Sequence, residues 1–173
     1  MVRFADGPTT EVDVFVAAPP ETVWPLVSEI NTPARFGTEL QKAVWLDVDG
    51  IDDPPPCTGA RFTGHNFHEA RGEWQTVNVI VACEPNRVFS WSVGDDPSFP
   101  AATWRLELEP EGEGTRLRFR ARMGPGPSGL NAIIERMPDK EEKILARRLQ
   151  EWETNMSATI AGIRDLAEGA TTP

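Results

Sequence analysis

Seven apolar side chains near the C-terminus, Leu145, Leu149, Trp152, Met156, Ile160, Ile163 and Leu166, recur at steps of three and four. That spacing marks one face of a long α-helix, and charged residues such as Glu141, Arg148 and Glu153 take other positions on it. Burying each of the seven is worth ~1.5–3 kcal/mol before entropy. A helix this long and this one-sided has to lie on a second layer.

The rest of the chain supplies that layer. Residues 11–17 alternate as a first strand, and Ala18-Pro19-Pro20 ends it. Residues 21–30 read as a short amphipathic helix with Pro25 early in it, where a missing N–H costs least. Residues 31–37 read as a second helical turn closed by Gly37. Strand patterns then follow at 40–48, 60–67, 74–83, 87–93, 103–109 and 115–123, with a proline-rich loop at 52–59. The breaks between them hold turn residues: Gly72, Glu84-Pro85-Asn86, Gly94-Asp95-Asp96-Pro97 and Glu111-Gly112-Glu113-Gly114. Links this short imply an antiparallel meander, so the fold class is α+β in one domain spanning residues 1–170.

The last hairpin can be read to the register. Trp104, Leu106 and Leu108 alternate with Arg105, Glu107 and Glu109, while Leu117, Phe119, Ala121 and Met123 alternate with Arg116, Arg118, Arg120 and Arg122. Folding about residues 112–113 sets Glu107 opposite Arg118 and Glu109 opposite Arg116. The arginine row is thus a solvated ladder paired with glutamates rather than an anion site. Gly124-Pro125-Gly126-Pro127-Ser128-Gly129 breaks the sheet, residues 130–137 start a helix capped by Ser128 or a neighbour, and Pro138 kinks or restarts it.

The order strand, two short helices, six strands, long helix resembles the helix-grip fold of the START-like (SRPBCC) superfamily. Within it the chain is similar to the polyketide cyclase/dehydrase and lipid-transport group found in actinobacteria. The likeness covers about residues 9–168. It is carried by Val14-Phe15-Val16-Ala17-Ala18-Pro19-Pro20-Glu21-Thr22-Val23-Trp24, Gly59-Ala60-Arg61-Phe62-Thr63-Gly64-His65-Asn66, Gly72-Glu73-Trp74, Glu84-Pro85-Asn86-Arg87-Val88-Phe89-Ser90-Trp91 and Asn155-Met156. The resemblance implies a seven-stranded curved antiparallel sheet around the C-terminal helix, enclosing a cavity for a hydrophobic small molecule. Alternation then nominates its wall: Phe62 and Asn66; Trp74, Thr76 and Asn78; Phe89 and Trp91; Trp104; Phe119 and Met123; Leu149, Trp152 and Met156. Phe36 would belong to a lid. Asn66, Thr76 and Asn78 would orient the ligand, as the few polar groups of an apolar pocket do. The competing reading makes these rings plain core and these amides partners of backbone or water.

Charge and composition bound the partners. The 173-residue chain carries a formal net charge of −10, which argues against nucleic acid and against an anionic membrane surface. The first residues form no apolar signal segment, and no stretch reaches the roughly 18 apolar residues of a membrane span. Two cysteines, Cys57 in a loop and Cys83 in a strand, leave a disulfide open but read more simply as thiols of a cytoplasmic protein.

Catalytic motifs are sparse. His65 and His68, the only histidines, fall on opposite faces of one strand, and no third ligand accompanies them, so no metal or other cofactor is expected. Phosphate-loop, nucleophile-elbow and paired-cysteine patterns are missing. The inferred inward faces hold no Asp, Glu, Lys or Arg, with Arg35, Arg61 and Glu73 the only charged residues near enough to intrude. Three functions compete: a carrier or binder of a hydrophobic molecule, a polyketide aromatase/cyclase acting in the same cavity, and an interaction module with a collapsed cavity. Monomer and homodimer remain equally open.

Overall fold

The structure, a computed structural model, describes residues 1–46 and 56–170. Seven strands form one antiparallel sheet: β1 (Thr9–Val16), β2 (Leu40–Trp45), β3 (Arg61–His68), β4 (Gly72–Glu84), β5 (Val88–Val93), β6 (Ala102–Glu111) and β7 (Gly114–Met123). Strands β2 to β7 run as a meander, and β1 closes onto β7, giving the order β1-β7-β6-β5-β4-β3-β2. The helices are α1 (Pro20–Val27), α2 (Thr32–Phe36), α3 (Gly129–Arg136) and α4 (Glu141–Ala170). The end of the strand expected at 40–48 and most of the loop expected at 52–59 lie outside the described residues.

The β6–β7 register is the expected one, with Glu107 opposite Arg118 and Glu109 opposite Arg116. The ion pairs themselves run diagonally. Arg118 bonds Glu109 at 3.1 Å, Glu107 bonds Arg105 of its own strand, and Arg116 reaches Asp13 (3.1 Å) and Glu111 (2.8 Å). Long arginine stems reach a diagonal neighbour as readily as the one opposite.

Strand β4 holds a bulge. Ile80 pairs with Trp91 and Ala82 with Ser90, so Val81 is an extra residue, and Cys83 comes to lie opposite Phe89. A second register shift occurs between Leu40 and Lys42 of β2. Such insertions raise local twist and bend the strand, which curls this half of the sheet. On edge strand β2, the Asn31 amide donates to the Ala43 carbonyl (3.0 Å) and accepts from the Ala43 N–H (2.7 Å), occupying groups that an edge leaves open.

The helices depart from expectation in three places. Helix α1 begins at Pro20 and ends at Val27, so Pro25 is its sixth residue rather than an early one. The ring removes an interior N–H, and the helix stops half a turn later, with Ser28 Oγ donating to the Trp24 carbonyl (2.9 Å). Gly37 closes α2 in an extended rather than left-handed conformation; a Cβ there would sit 2.9 Å from Asn155 Oδ1 of α4, so close approach explains the glycine. In α4 the buried stripe runs through Leu145, Trp152, Met156, Ile160, Ile163 and Ala167, and Leu166 is exposed because a step from Ile163 to Ala167 keeps better phase. As expected, Ser128 caps α3 by accepting from Leu130 N–H, and Pro138 opens a 3₁₀ turn before α4 restarts the helix.

Helix α4 packs chiefly on β1, with α1 and α2 beside it, and touches the middle of the sheet far less. The curled half of the sheet therefore faces α4 across a gap.

Candidate functional site: an aromatic cavity with a charged end

That gap is a cavity of about 770 Å³ between the inner face of the sheet and α4. Aromatic rings make much of its wall. Trp91 and Trp104 stack nearly parallel at 6.3 Å, Trp104 meets Trp152 of α4 at 4.7 Å, and Phe119 touches both Trp91 (6.2 Å) and Trp104 (5.7 Å). Phe62 and Phe89 extend the group through Trp91. Rings at these distances and tilts hold one another in place, so the wall is stiff. The Trp152 indole N–H is buried and has no acceptor among the described residues.

On β3 and β4 the wall turns polar. Asn78 is buried; its amide donates to the Phe62 carbonyl (3.3 Å) and to Thr76 Oγ1 (3.1 Å). Gly64 lies between them, and a Cβ there would stand 3.0 Å from Thr76 Oγ1 and 3.3 Å from Asn78 Nδ2. The glycine leaves these groups uncovered toward the cavity.

Where β3 turns into β4, the wall becomes charged. Arg148 of α4 is buried, donating to both carboxylate oxygens of Glu39, one at 2.7 Å, and to Glu151 (3.0 Å). Burial opposes its charge, but the bonds and charge of Glu39, then Glu151, outweigh that and raise the guanidinium above its usual value. Burial likewise opposes the Glu151 carboxylate and is outweighed by Arg148, so Glu151 stays below the usual carboxylate range. His68 Nδ1 accepts from Ala70 N–H (3.1 Å), so in the neutral ring Nε2 carries the hydrogen that faces Glu151 at 3.4 Å. Arg71, in the same turn, has its guanidinium over the Trp74 ring at 5.9 Å.

Of the residues nominated from sequence, Phe62, Asn66, Trp74, Thr76, Asn78, Phe89, Trp91, Trp104, Phe119, Met123, Trp152 and Met156 stand on this wall. Phe36 does not. Its ring lies over Gly162 of α4, where a Cβ would come within 2.5 Å of three of its atoms, so it anchors α2 rather than forming a lid. Leu149 is half-buried against the core and off the wall, because the stripe at this level passes through Arg148 and Trp152.

The expectation of an uncharged interior is overturned: Glu29, Glu39, Arg71, Arg136 and Arg148 all line the cavity. The three residues named as intruders do not. Arg35 lies over the Phe36 ring and Arg61 pairs with Asp95 at 3.6 Å, while Glu73 is exposed. Arg148 was legible, since it stands three residues after Leu145 and four before Trp152, inside the apolar stripe. Arg71 was not, because strand alternation says nothing about a turn. Cys57 is exposed and Cys83 half-buried, both as free thiols. Among the described residues no helix is long and apolar enough to cross a membrane.

Comparison with known proteins places this architecture. A family model described as polyketide cyclase / dehydrase and lipid transport matches residues 8–153. The chain belongs to that family. A polyketide-cyclase-like protein of Corynebacterium glutamicum, solved in solution by NMR, is 30% identical, with 94% of this chain and 92% of that one covered and a TM-score of 0.63. The di-domain ARO/CYC proteins StfQ, of the steffimycin biosynthetic pathway, and BexL, of the BE-7585A biosynthetic pathway, share the fold at TM-scores of 0.68 and 0.69. They are 16% and 17% identical; 94% and 96% of this chain is covered, against 51% of each of theirs, so it spans about half their length. No curated protein matches the sequence.

Proposed function

We propose that the chain binds a hydrophobic small molecule, a lipid, polyketide or similar compound, in the cavity between the sheet and α4. The observation that carries this reading is a volume of about 770 Å³ walled by stacked and tilted rings with a few polar groups on one side. A space of that size and character suits a ligand of drug or lipid dimensions. Rings that brace one another hold such a space open at little cost on binding.

Titration with an apolar fluorescent compound, read through quenching of the wall tryptophans, tests the proposal. Saturable quenching that is lost in Phe119→Ala, with the far-ultraviolet dichroism unchanged, is the expected result. Absence of any saturable binding to the wild type would end it.

A second reading, an aromatase/cyclase-type enzyme acting on a ligand in the same cavity, gains support from the arginines in the wall. The Arg71 guanidinium on the wall is a donor able to hold a developing enolate oxygen. Cyclisation of a poly-β-ketone substrate, abolished by Arg71→Gln while binding persists, would select this reading over simple carriage.

A further inference from the structure

Arg71 is set apart from Arg136 and Arg148, the other arginines of the wall, which donate to the Ala132 carbonyl and to Glu39 and Glu151. It lines the wall with its side chain 29% exposed, yet its nearest carboxylate oxygen, Glu151 Oε2, stands 4.0 Å away, beyond hydrogen-bonding distance. No described residue accepts a hydrogen bond from it. Arg148, a neighbour in the same cluster, has Glu39 and Glu151 on its N–H groups. Burial, and then the charge of Arg148, push the Arg71 guanidinium below its usual value, as expected for a cation short of compensating partners. The Trp74 ring beneath it keeps the planar fork oriented. Asn66, directly across from Trp74, lines the same end, and among the described residues its amide makes only a 3.3 Å bond to the Gly64 carbonyl.

We infer that the ligand of this cavity is an amphipathic acid whose carboxylate seats on Arg71 and whose apolar body lies along Trp91, Trp104 and Phe119. This inference rests on the small-molecule reading above. A carboxylate presents two acceptors to the fork, and charge-assisted bonds are roughly twice as strong as neutral ones, so an acid satisfies Arg71 where a ketone or alcohol leaves most of its donors idle. The two carboxylates nearby do not cancel this preference. Arg148 engages both, and Glu151 also faces His68 and Arg147.

The test compares 1-pyrenebutyric acid with 1-pyrenebutanol, which share a polycyclic body and differ in the head, by energy transfer from the wall tryptophans at neutral pH. The acid is expected to bind about tenfold or more tightly than the alcohol. Arg71→Gln should bring the acid to the level of the alcohol and leave the alcohol unchanged. Arg87→Gln, at a solvent-exposed arginine off the cavity wall, should alter neither. Equal binding of the two compounds by the wild type overturns the acid head and leaves the cavity reading intact, as does a preference that survives Arg71→Gln. The wild-type comparison decides the matter even if the variant fails to fold. Failure of both compounds to bind overturns the cavity reading and this inference with it.

Discussion

Arg148 of α4 and Glu39, the residue before β2, are joined by a two-pronged ion pair in which both carboxylate oxygens accept from one guanidinium. Together with Asn155 Oδ1, which accepts from the Thr38 N–H at 2.7 Å, it fastens the segment between α2 and β2 to the long helix. Both partners are largely buried, so removing one strands the other. Arg148→Ala is expected to cost about 3 kcal/mol or more, read as a lower denaturant midpoint at unchanged slope. A loss under 1 kcal/mol would show that water compensates Glu39 and that the pair is not a fastening.

Glu151 gives the cluster a pH dependence of known sign. Its folded-state pKa lies below the ordinary carboxylate value, so its contribution is fully present above that ordinary value, near 4.3, and is lost as pH falls through the depressed one. Stability of the wild type should therefore drop on acidification below about pH 4.3 more steeply than that of Glu151→Gln. The thermal midpoints of the wild type and of Glu151→Gln, followed from neutral pH downward, decide it; parallel curves would sink the assignment.

Gly162 inverts the usual rule for helices. Glycine to alanine inside an exposed helix gains up to about 1 kcal/mol. Here the added Cβ would stand 2.3 Å from Phe36 Cδ1, and a well-packed ring cannot retreat freely. Gly162→Ala should instead destabilise by about 1–3 kcal/mol, and pairing it with Phe36→Leu should recover part of the loss. A stabilised single variant would mean that α2 moves aside.

Ser92 carries a buried hydroxyl with no partner among the described residues. An unsatisfied buried donor costs more than it returns, so Ser92→Ala should be neutral or stabilising, by at most about 1–2 kcal/mol. A loss of more than 1 kcal/mol would reveal a bond the static structure does not contain.

Periodicity made the scaffold legible. The register of Glu107 with Arg118 follows from strict alternation on both sides of a glycine turn, and the α4 stripe follows from steps of three and four. Alternation also brought Trp91, Trp104 and Phe119 to one face. What periodicity cannot convey is distance between layers, so it left open whether those rings fill the space or surround it. Phe36 shows a further limit: nothing local to it announces that a glycine more than a hundred residues away receives its ring. The charged end was missed for a different reason. Arg148 obeyed the helical period but was set aside for its charge, although a long side chain with carboxylates on its tip can be buried at such a position.

The extra residue at Val81 has a bearing on how this barrel-like half could change. Because it offsets the pleat by one position, the segments of β4 before and after it follow opposite parity, even-numbered side chains toward α4 up to Ile80 and odd-numbered ones at Cys83. Deleting that single residue would leave Ala82 opposite Ser90 and Cys83 opposite Phe89 in unbroken alternation with Ile80, and would flatten the very arc that stands away from the helix. The vacant volume is thus tied to one surplus peptide unit as firmly as to any of the rings that border it.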